Sequence, residues 1–119
     1  MVSETKKIVV WGLGKHSIKN IIPAISASED IDLYGVYSRN QDVVNEICDL
    51  WNCITWNGTQ DMLSDANIDI IFLTTPSGLH YEQGIKILRS DKHLWCDKPF
   101  TTNFTCSKKL IELSIERNL

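Results

Sequence analysis

The chain has 119 residues, of which 43% are hydrophobic, a size suited to one globular core and too small for two. Its 12 basic and 15 acidic residues leave a net charge of -3, so no broad basic face exists to neutralise a nucleic-acid backbone. The start, Met1-Val2-Ser3-Glu4-Thr5-Lys6-Lys7, lacks an apolar signal region, and no later run approaches a membrane span, which points to a cytosolic protein with no membrane partner. Cys48, Cys53, Cys96 and Cys106 form no C-x-x-C pair and match no common zinc spacing. They read as reduced thiols without a metal, with Cys48 and Cys96 acting as small hydrophobes.

Apolar runs alternate with helical-period stretches along the whole chain, the signature of repeated βαβ units. Ile8-Val9-Val10-Trp11 is a continuous buried strand ending at Gly12. The first helix runs from Ser17 to about Ala27, with Ile18, Ile21, Ile22 and Ile25 on one face. Pro23 inside it cannot donate to the Lys19 carbonyl, so a kink is expected near the second turn. Strand two spans Ile31 to Ser38, and Val43, Val44, Ile47, Leu50 and Trp51 mark the helix after it. A short strand at Ile54-Thr55-Trp56 and a one- or two-turn helix at Met62 and Leu63 precede the strand Asp69 to Thr74. A helix from Leu79 to Ser90, a strand from His93 to Cys96 and an amphipathic helix from Asn103, its N-cap, to Arg117 complete the pattern. Trp11, Trp51, Trp56 and Trp95 fall on apolar strands or helix faces and read as core, with Trp95 nearest the ligand edge.

Five such strands give a doubly wound parallel α/β sheet in the order 3-2-1-4-5, a Rossmann fold. A sixth strand would need residues beyond Leu119, so the chain reads as the N-terminal part of a longer protein.

Three segments then fall on the carboxyl edge of the sheet, where open α/β folds bind ligands. Gly12-Leu13-Gly14-Lys15-His16-Ser17 joins the first strand to the first helix, with glycine where a tight turn and a close diphosphate exclude Cβ atoms. Ser17 takes the place of the third glycine of that fingerprint. At the end of the second strand, where a carboxylate normally binds the ribose 2′-hydroxyl, stand Ser38, Arg39 and Asn40. Arg39 suits a 2′-phosphate and so NADP over NAD, the other reading being a solvated Arg39 with Asp42 on the ribose. After the fourth strand, Thr74, Thr75, Pro76 and Ser77 can face the cofactor, Gly78 permits close backbone approach, and Ser77 also suits a helix N-cap. His80 sits in the first turn of the next helix, placed either for the cofactor or for local bonding.

The last segment, Lys92-His93-Leu94-Trp95-Cys96-Asp97-Lys98-Pro99, delivers an acid, a lysine and a proline at a strand end. Taken with Gly12-Leu13-Gly14 and Thr75-Pro76-Ser77-Gly78-Leu79-His80, it resembles the Gfo/Idh/MocA oxidoreductases, the family of glucose-fructose oxidoreductase and inositol dehydrogenase. In that family the second segment usually reads Thr-Pro-Asn and the third Glu-Lys-Pro, so Ser77 and Asp97 are departures that alter reach while keeping hydrogen-bonding capacity. The resemblance implies that residues 1–119 form an NAD(P)-binding domain of an oxidoreductase acting on a sugar, sugar nucleotide or cyclitol. It implies that Asp97, Lys98 and Pro99 lie at the nicotinamide, with Lys98 catalytic. There an ammonium can stabilise the substrate alkoxide. A second domain supplying substrate contacts is implied beyond Leu119, and with it an inactive isolated chain; a homo-oligomer is compatible with the resemblance. A non-catalytic NAD(P)-sensing module and an NAD-dependent glycoside hydrolase of the same family stand as the other readings.

Overall fold

The computed structural model describes residues 5–96 and 104–119. Four parallel strands form one sheet: β1 (Lys6–Trp11), β2 (Ile31–Tyr37), β3 (Ile70–Leu73) and β4 (His93–Cys96), in the order β2-β1-β3-β4. β1 is central, and its Ile8, Val9 and Val10 are fully buried. Successive side chains of a strand point to opposite faces, which is why a strand covered on both sides is apolar without alternation.

Each face therefore has its own core. Ile8 and Val10 pack with Ile22 and Ile25 of α1 (Ile22–Ala27) and with Val44 and Ile47 of α2 (Gln41–Trp51). Val9 and Trp11 pack on the other side with Met62 and Leu63 of α3 (Thr59–Leu63) and Ile87 of α4 (His80–Arg89). Helices on both faces make the sheet doubly wound, the Rossmann arrangement expected from the sequence. α5 (Phe104–Glu116) packs on α4, where Gly84 admits it: a Cβ built there would lie 3.0 Å from Leu110.

One local expectation changes. The third strand shrinks to a single parallel bridge between Gly35 and Ile54, in the place that strand was to occupy beside β2. Two backbone bonds still tie it to β2, Val36 N–H to the Ile54 carbonyl at 3.0 Å and Ile54 N–H to the Tyr34 carbonyl at 3.2 Å, and the Trp56 ring packs over Gly35, where a Cβ would come within 2.5 Å of it. Asp65 completes the fastening, accepting from Tyr34 Oη at 2.9 Å and from Trp56 Nε1 at 3.1 Å.

The first helix continues through Pro23, as expected, with an irregularity one turn ahead of it. The turn before it widens into a π-helical segment, Ser17–Ile21, in which the Ile22 N–H donates to the Ser17 carbonyl, and Pro23 falls in the first turn of α1. A proline lacks a donor and crowds the preceding turn, and a widened turn accommodates both effects. The helix expected from Leu79 to Ser90 is α4, His80–Arg89, entered through a 3-10 turn at Ser77–Leu79. The Asn103 N-cap lies outside the described residues.

Candidate functional site

The carboxyl ends of β1, β2 and β3 are tied together by backbone bonds that run past the strands. Gly12 N–H donates to the Tyr37 carbonyl at 2.8 Å, and Thr74 N–H to the Trp11 carbonyl at 2.8 Å. The chain leaves β1 at Gly12 with φ +111°, a conformation costly for any residue carrying a Cβ. A Cβ there would also come within 2.8 Å of the Thr74 and Thr75 backbone. Thus Gly12 is required by the turn and by the adjoining loop together.

Thr74 fixes the same corner with its side chain. Its Oγ1 donates to the Gly12 carbonyl at 2.8 Å and lies 2.5 Å from Ser17 Oγ. Because the Thr74 hydroxyl spends its hydrogen on Gly12, Ser17 is the donor in the second bond. Ser17, only 2% exposed, thus replaces the fingerprint's third glycine with a hydrogen bond between the first helix and the end of β3.

Above this corner lies a cleft of 830 Å³. Gly12, Leu13 and Gly14 form one wall, Ser38 and Arg39 a second, and Thr74, Thr75 and Pro76 a third. Residues separated by more than sixty positions in the sequence thus meet at one sheet edge. Gly14 faces open space, with nothing within 4 Å of an added Cβ, so the glycine leaves free the volume a ligand backbone would take. The first helical bond beyond it is Ile18 N–H to the Gly14 carbonyl at 3.1 Å. Amides ahead of that bond have no acceptor within the helix, the geometry that suits a diphosphate. This wall therefore fits a dinucleotide.

The Arg39 side is built differently. Asn40 caps α2 by accepting from Val43 N–H at 3.3 Å, and its own N–H donates to Ser38 Oγ at 3.3 Å. Both bonds are local, and Arg39 is exposed at the rim. Asp42, the other reading for the ribose, sits in the first turn of α2 and is not among the cleft residues; among the described residues the lining contains no carboxylate.

Other sequence-derived candidates fall elsewhere. Lys15 and His16 are exposed at the start of the first helix, outside the cleft lining, and His16 Nδ1 accepts from Asn20 at 3.0 Å. His80 is 2% exposed and stands behind the third wall, its Nε2 2.6 Å from the Thr75 carbonyl oxygen. It positions the loop from within. Trp95 leaves the site altogether: it is 42% exposed, packs edge-on against Phe72 and borders a smaller groove against Leu110 and Ile111 of α5. The Ser77 side chain and all of Asp97, Lys98 and Pro99 lie outside the described residues.

The cleft also contains groups that sequence reading missed. Trp11 and Tyr37, paired edge-to-face at 6.2 Å, form its floor with Thr59, Leu79 and Gln83 around the sides. Gln83 accepts from the Thr75 hydroxyl, so α4 fixes the third wall from outside. Only the position of Trp11 at a strand terminus, one residue before Gly12, carried a usable signal. Among the described residues no His, Cys, Asp and Glu cluster could hold a metal ion, and no helix is long and apolar enough to cross a membrane.

Comparison with known proteins agrees with this geometry. Residues 6–119 match the Gfo/Idh/MocA model, described as an oxidoreductase family with an NAD-binding Rossmann fold. A dTDP-3,4-didehydro-2,6-dideoxy-alpha-D-glucose 3-reductase from Saccharopolyspora spinosa is 27% identical over 113 residues, 95% of this chain and 34% of that protein. The scyllo-inositol 2-dehydrogenase (NADP(+)) of Bacillus subtilis is 30% identical over 84 residues, 70% of this chain and 26% of that protein. Among solved structures, a 3-ketoreductase from Actinomadura kijaniata in complex with NADP and TDP-benzene shares the fold, with a TM-score of 0.93 at 23% identity over 98% of this chain and 36% of that one. A dehydrogenase from Clostridium difficile superposes with a TM-score of 0.89 at 27% identity over 98% of this chain and 38% of that one. The chain spans about a third of the length of these relatives. Its glycine turn, its threonine corner and the match over residues 6–119 lead to one conclusion: the chain belongs to the Gfo/Idh/MocA oxidoreductases, of which it carries the NAD-binding Rossmann domain.

Proposed function

We propose that residues 1–119 are the cofactor domain of an NADP-dependent oxidoreductase whose substrate is a sugar, sugar nucleotide or cyclitol. The observation that supports this reading is the convergence of three loops on one cleft, with open space beside Gly14 in its glycine wall. A nicotinamide dinucleotide bound there supplies hydride exchange with a hydroxyl-bearing or carbonyl carbon.

The chain's own residues divide the remaining work. Gly12, Leu13 and Gly14, with the amides that open the first helix, hold the diphosphate, while Lys15 and His16, exposed at the start of that helix and outside the cleft lining, are its nearest charged and polar side chains in sequence. Ser38 and Arg39 take the 2′-phosphate, because a guanidinium at the rim can make paired charge-assisted bonds and no carboxylate competes among the described lining residues. Thr74, Thr75 and Pro76 line the path toward the reactive end, with His80 holding Thr75 in place, and Ser77, next in sequence, is assigned to the cofactor with them. Asp97, Lys98 and Pro99, which follow β4 in the sequence, are assigned to the nicotinamide end. The Lys98 ammonium donates to the substrate oxygen and stabilises the negative charge that develops on it.

The substrate class rests on relatives named for a nucleotide-linked deoxysugar and for an inositol. The intact enzyme is read as cytosolic, where reduced thiols such as Cys48, Cys53 and Cys96 persist. Calorimetric titration of the 119-residue chain tests the cofactor reading: saturable NADPH binding, tighter than NADH, is expected, and absence of heat with both overturns it. In a polypeptide that includes a substrate domain, Lys98→Ala should lower kcat by roughly 10²- to 10⁴-fold while leaving the NADPH Kd within about twofold. Retained turnover would remove Lys98 from the chemistry.

A further inference from the structure

Cys96 closes β4, and its Sγ lies 3.1 Å from Nδ1 of His80. The other ring nitrogen, Nε2, is 2.6 Å from the Thr75 carbonyl oxygen. A carbonyl only accepts, so Nε2 carries a hydrogen, and in the neutral ring Nδ1 is then the bare nitrogen. The Cys96 thiol is therefore the donor in its contact with His80. The imidazole is 2% exposed, whereas Cys96 is only partly buried against the core beside it. If the thiol proton passes to Nδ1, both ring hydrogens still have acceptors: the thiolate and the Thr75 carbonyl. A cysteine that is not fully buried and bonds an imidazole is the setting in which thiols become nucleophilic.

We propose that Cys96 is a nucleophilic thiol activated by His80, and that a hydroperoxide oxidises it to a sulfenic acid at the back of the Thr75 loop. The step balances within the pair. His80 takes the thiol proton, the thiolate sulfur attacks one peroxide oxygen, and an S–O bond forms as the O–O bond breaks. Sulfur loses two electrons to the peroxide, and the proton held on Nδ1 leaves with the released hydroxide as water. The added oxygen must occupy space beside the imidazole that holds Thr75, so oxidation loosens one wall of the cleft. That consequence, unlike the oxidation itself, rests on the dinucleotide reading above.

Cys48 and Cys53 serve as comparators within the same chain. Burial pushes the Cys53 thiol up to about 12 and raises that of Cys48 as well, which keeps both protonated near neutrality. The test treats the 119-residue chain with hydrogen peroxide in the presence of dimedone and reads adducts by peptide mass spectrometry. At pH 7, Cys96 should label at least about tenfold faster than Cys48 or Cys53. His80→Gln should remove that advantage; a Cys96 rate no higher than the other two, or one unchanged by the substitution, overturns the proposal.

If His80→Gln does not fold, the pH profile of iodoacetamide alkylation on the unmodified sequence decides. A Cys96 rate that levels off below pH 7 supports an ion pair with His80, whereas a rate climbing through the ordinary thiol range near about 8.5 overturns it. A parallel arm saturates the chain with NADPH beforehand. Protection of Cys96 supports the link to the cleft; fast labelling without protection leaves the nucleophile standing and overturns the link. An absence of NADPH heat in that same sample locates the failure in the dinucleotide reading.

Discussion

The two sides of the cleft are made on different principles. On the glycine side, Gly12, Thr74 and Ser17 interlock through backbone and hydroxyl bonds of 2.5 to 2.8 Å between elements distant in sequence. On the Arg39 side, the bonds join neighbours only, Asn40 to Ser38 and Val43 to Asn40, and the informative side chain projects into solvent. In the proposed reading, the first side meets the diphosphate common to every dinucleotide, and its interlocked bonds leave little room for change at Gly12. The second, in the same reading, tells one dinucleotide from another, and its exposed side chain can change without disturbing the fold. Substitutions on the two sides should therefore differ in kind: stability is at risk on one, selectivity on the other.

Gly12→Ala should have the largest effect. It places a Cβ at φ +111° and within 2.8 Å of two backbone atoms that cannot move without breaking the corner. Strain of this type and the accompanying displacement cost roughly 2–4 kcal/mol, enough to unfold much of a marginal domain. Thermal melting followed by circular dichroism is the measurement. A melting temperature within a degree or two of the original would break the contrast, because the glycine side would then be adjustable as well.

Arg39→Ala comes next and should leave the melting temperature unchanged while weakening NADPH by roughly 10- to 100-fold and NADH by less than about twofold. Calorimetry with both nucleotides separates the two losses. Equal losses would make Arg39 a general contributor to affinity and would remove the selective character assigned to its side.

These two positions were legible in the sequence, for physical reasons that differ. Gly12 stands out because a backbone that turns sharply under a ligand excludes all side chains, and such a requirement leaves a mark on residue type. Arg39 stands out because a strand end fixes its location, even though nothing local constrains its side chain. The sheet was legible for the same reason as Gly12: burial on both faces forces a run such as Ile8-Val9-Val10-Trp11.

What could not be read depends on how separate elements approach one another. Gln83 lies on α4 with no distinguishing spacing, and only the packing of that helix brings it to Thr75. Thr59 reaches the cleft because α3 begins there. The third strand looked complete because Ile54, Thr55 and Trp56 favour extended backbone, yet Ile54 is 45% exposed and the Trp56 ring edge sits over Gly35, with one bridge where a ladder was expected. Cys96 and His80, sixteen positions apart, gave no sign of their contact.

Ser17→Ala sharpens the contrast at smaller cost. Removing one buried hydroxyl leaves Thr74 Oγ1 still donating to Gly12 but with its own acceptor site unfilled, a loss of about 1 kcal/mol and roughly 4 °C in melting temperature. Ser17→Gly, which restores the familiar fingerprint, should fare worse, because it loses the same bond and adds backbone entropy to a helix. A glycine variant more stable than the original would mean that the hydroxyl is incidental to the corner.

The smallest effect concerns what secures the Arg39 side from below. β2 carries Arg39 at its exit, and its flank is held by Trp56 and by Tyr34, both donating to Asp65. Burial by itself would raise the Asp65 carboxyl, but the Asn67 amide at 2.9 Å, the Tyr34 hydroxyl, the Trp56 indole and the charge of Lys92 together hold it below its ordinary value. A carboxylate lowered in the folded state contributes stability that is complete above its unfolded value, near about 3.9, and is lost as pH falls through the folded one. Because Asp65 is partly open to water, the contribution is modest, about 1–2 °C. Melting curves from pH 7 down to pH 2 should therefore fall more steeply for the original chain than for Asp65→Asn, with the difference confined to the acid end. A difference that persisted unchanged across that range would show that Asp65 holds β2 by shape and hydrogen bonding alone, leaving charge to Arg39 at the rim.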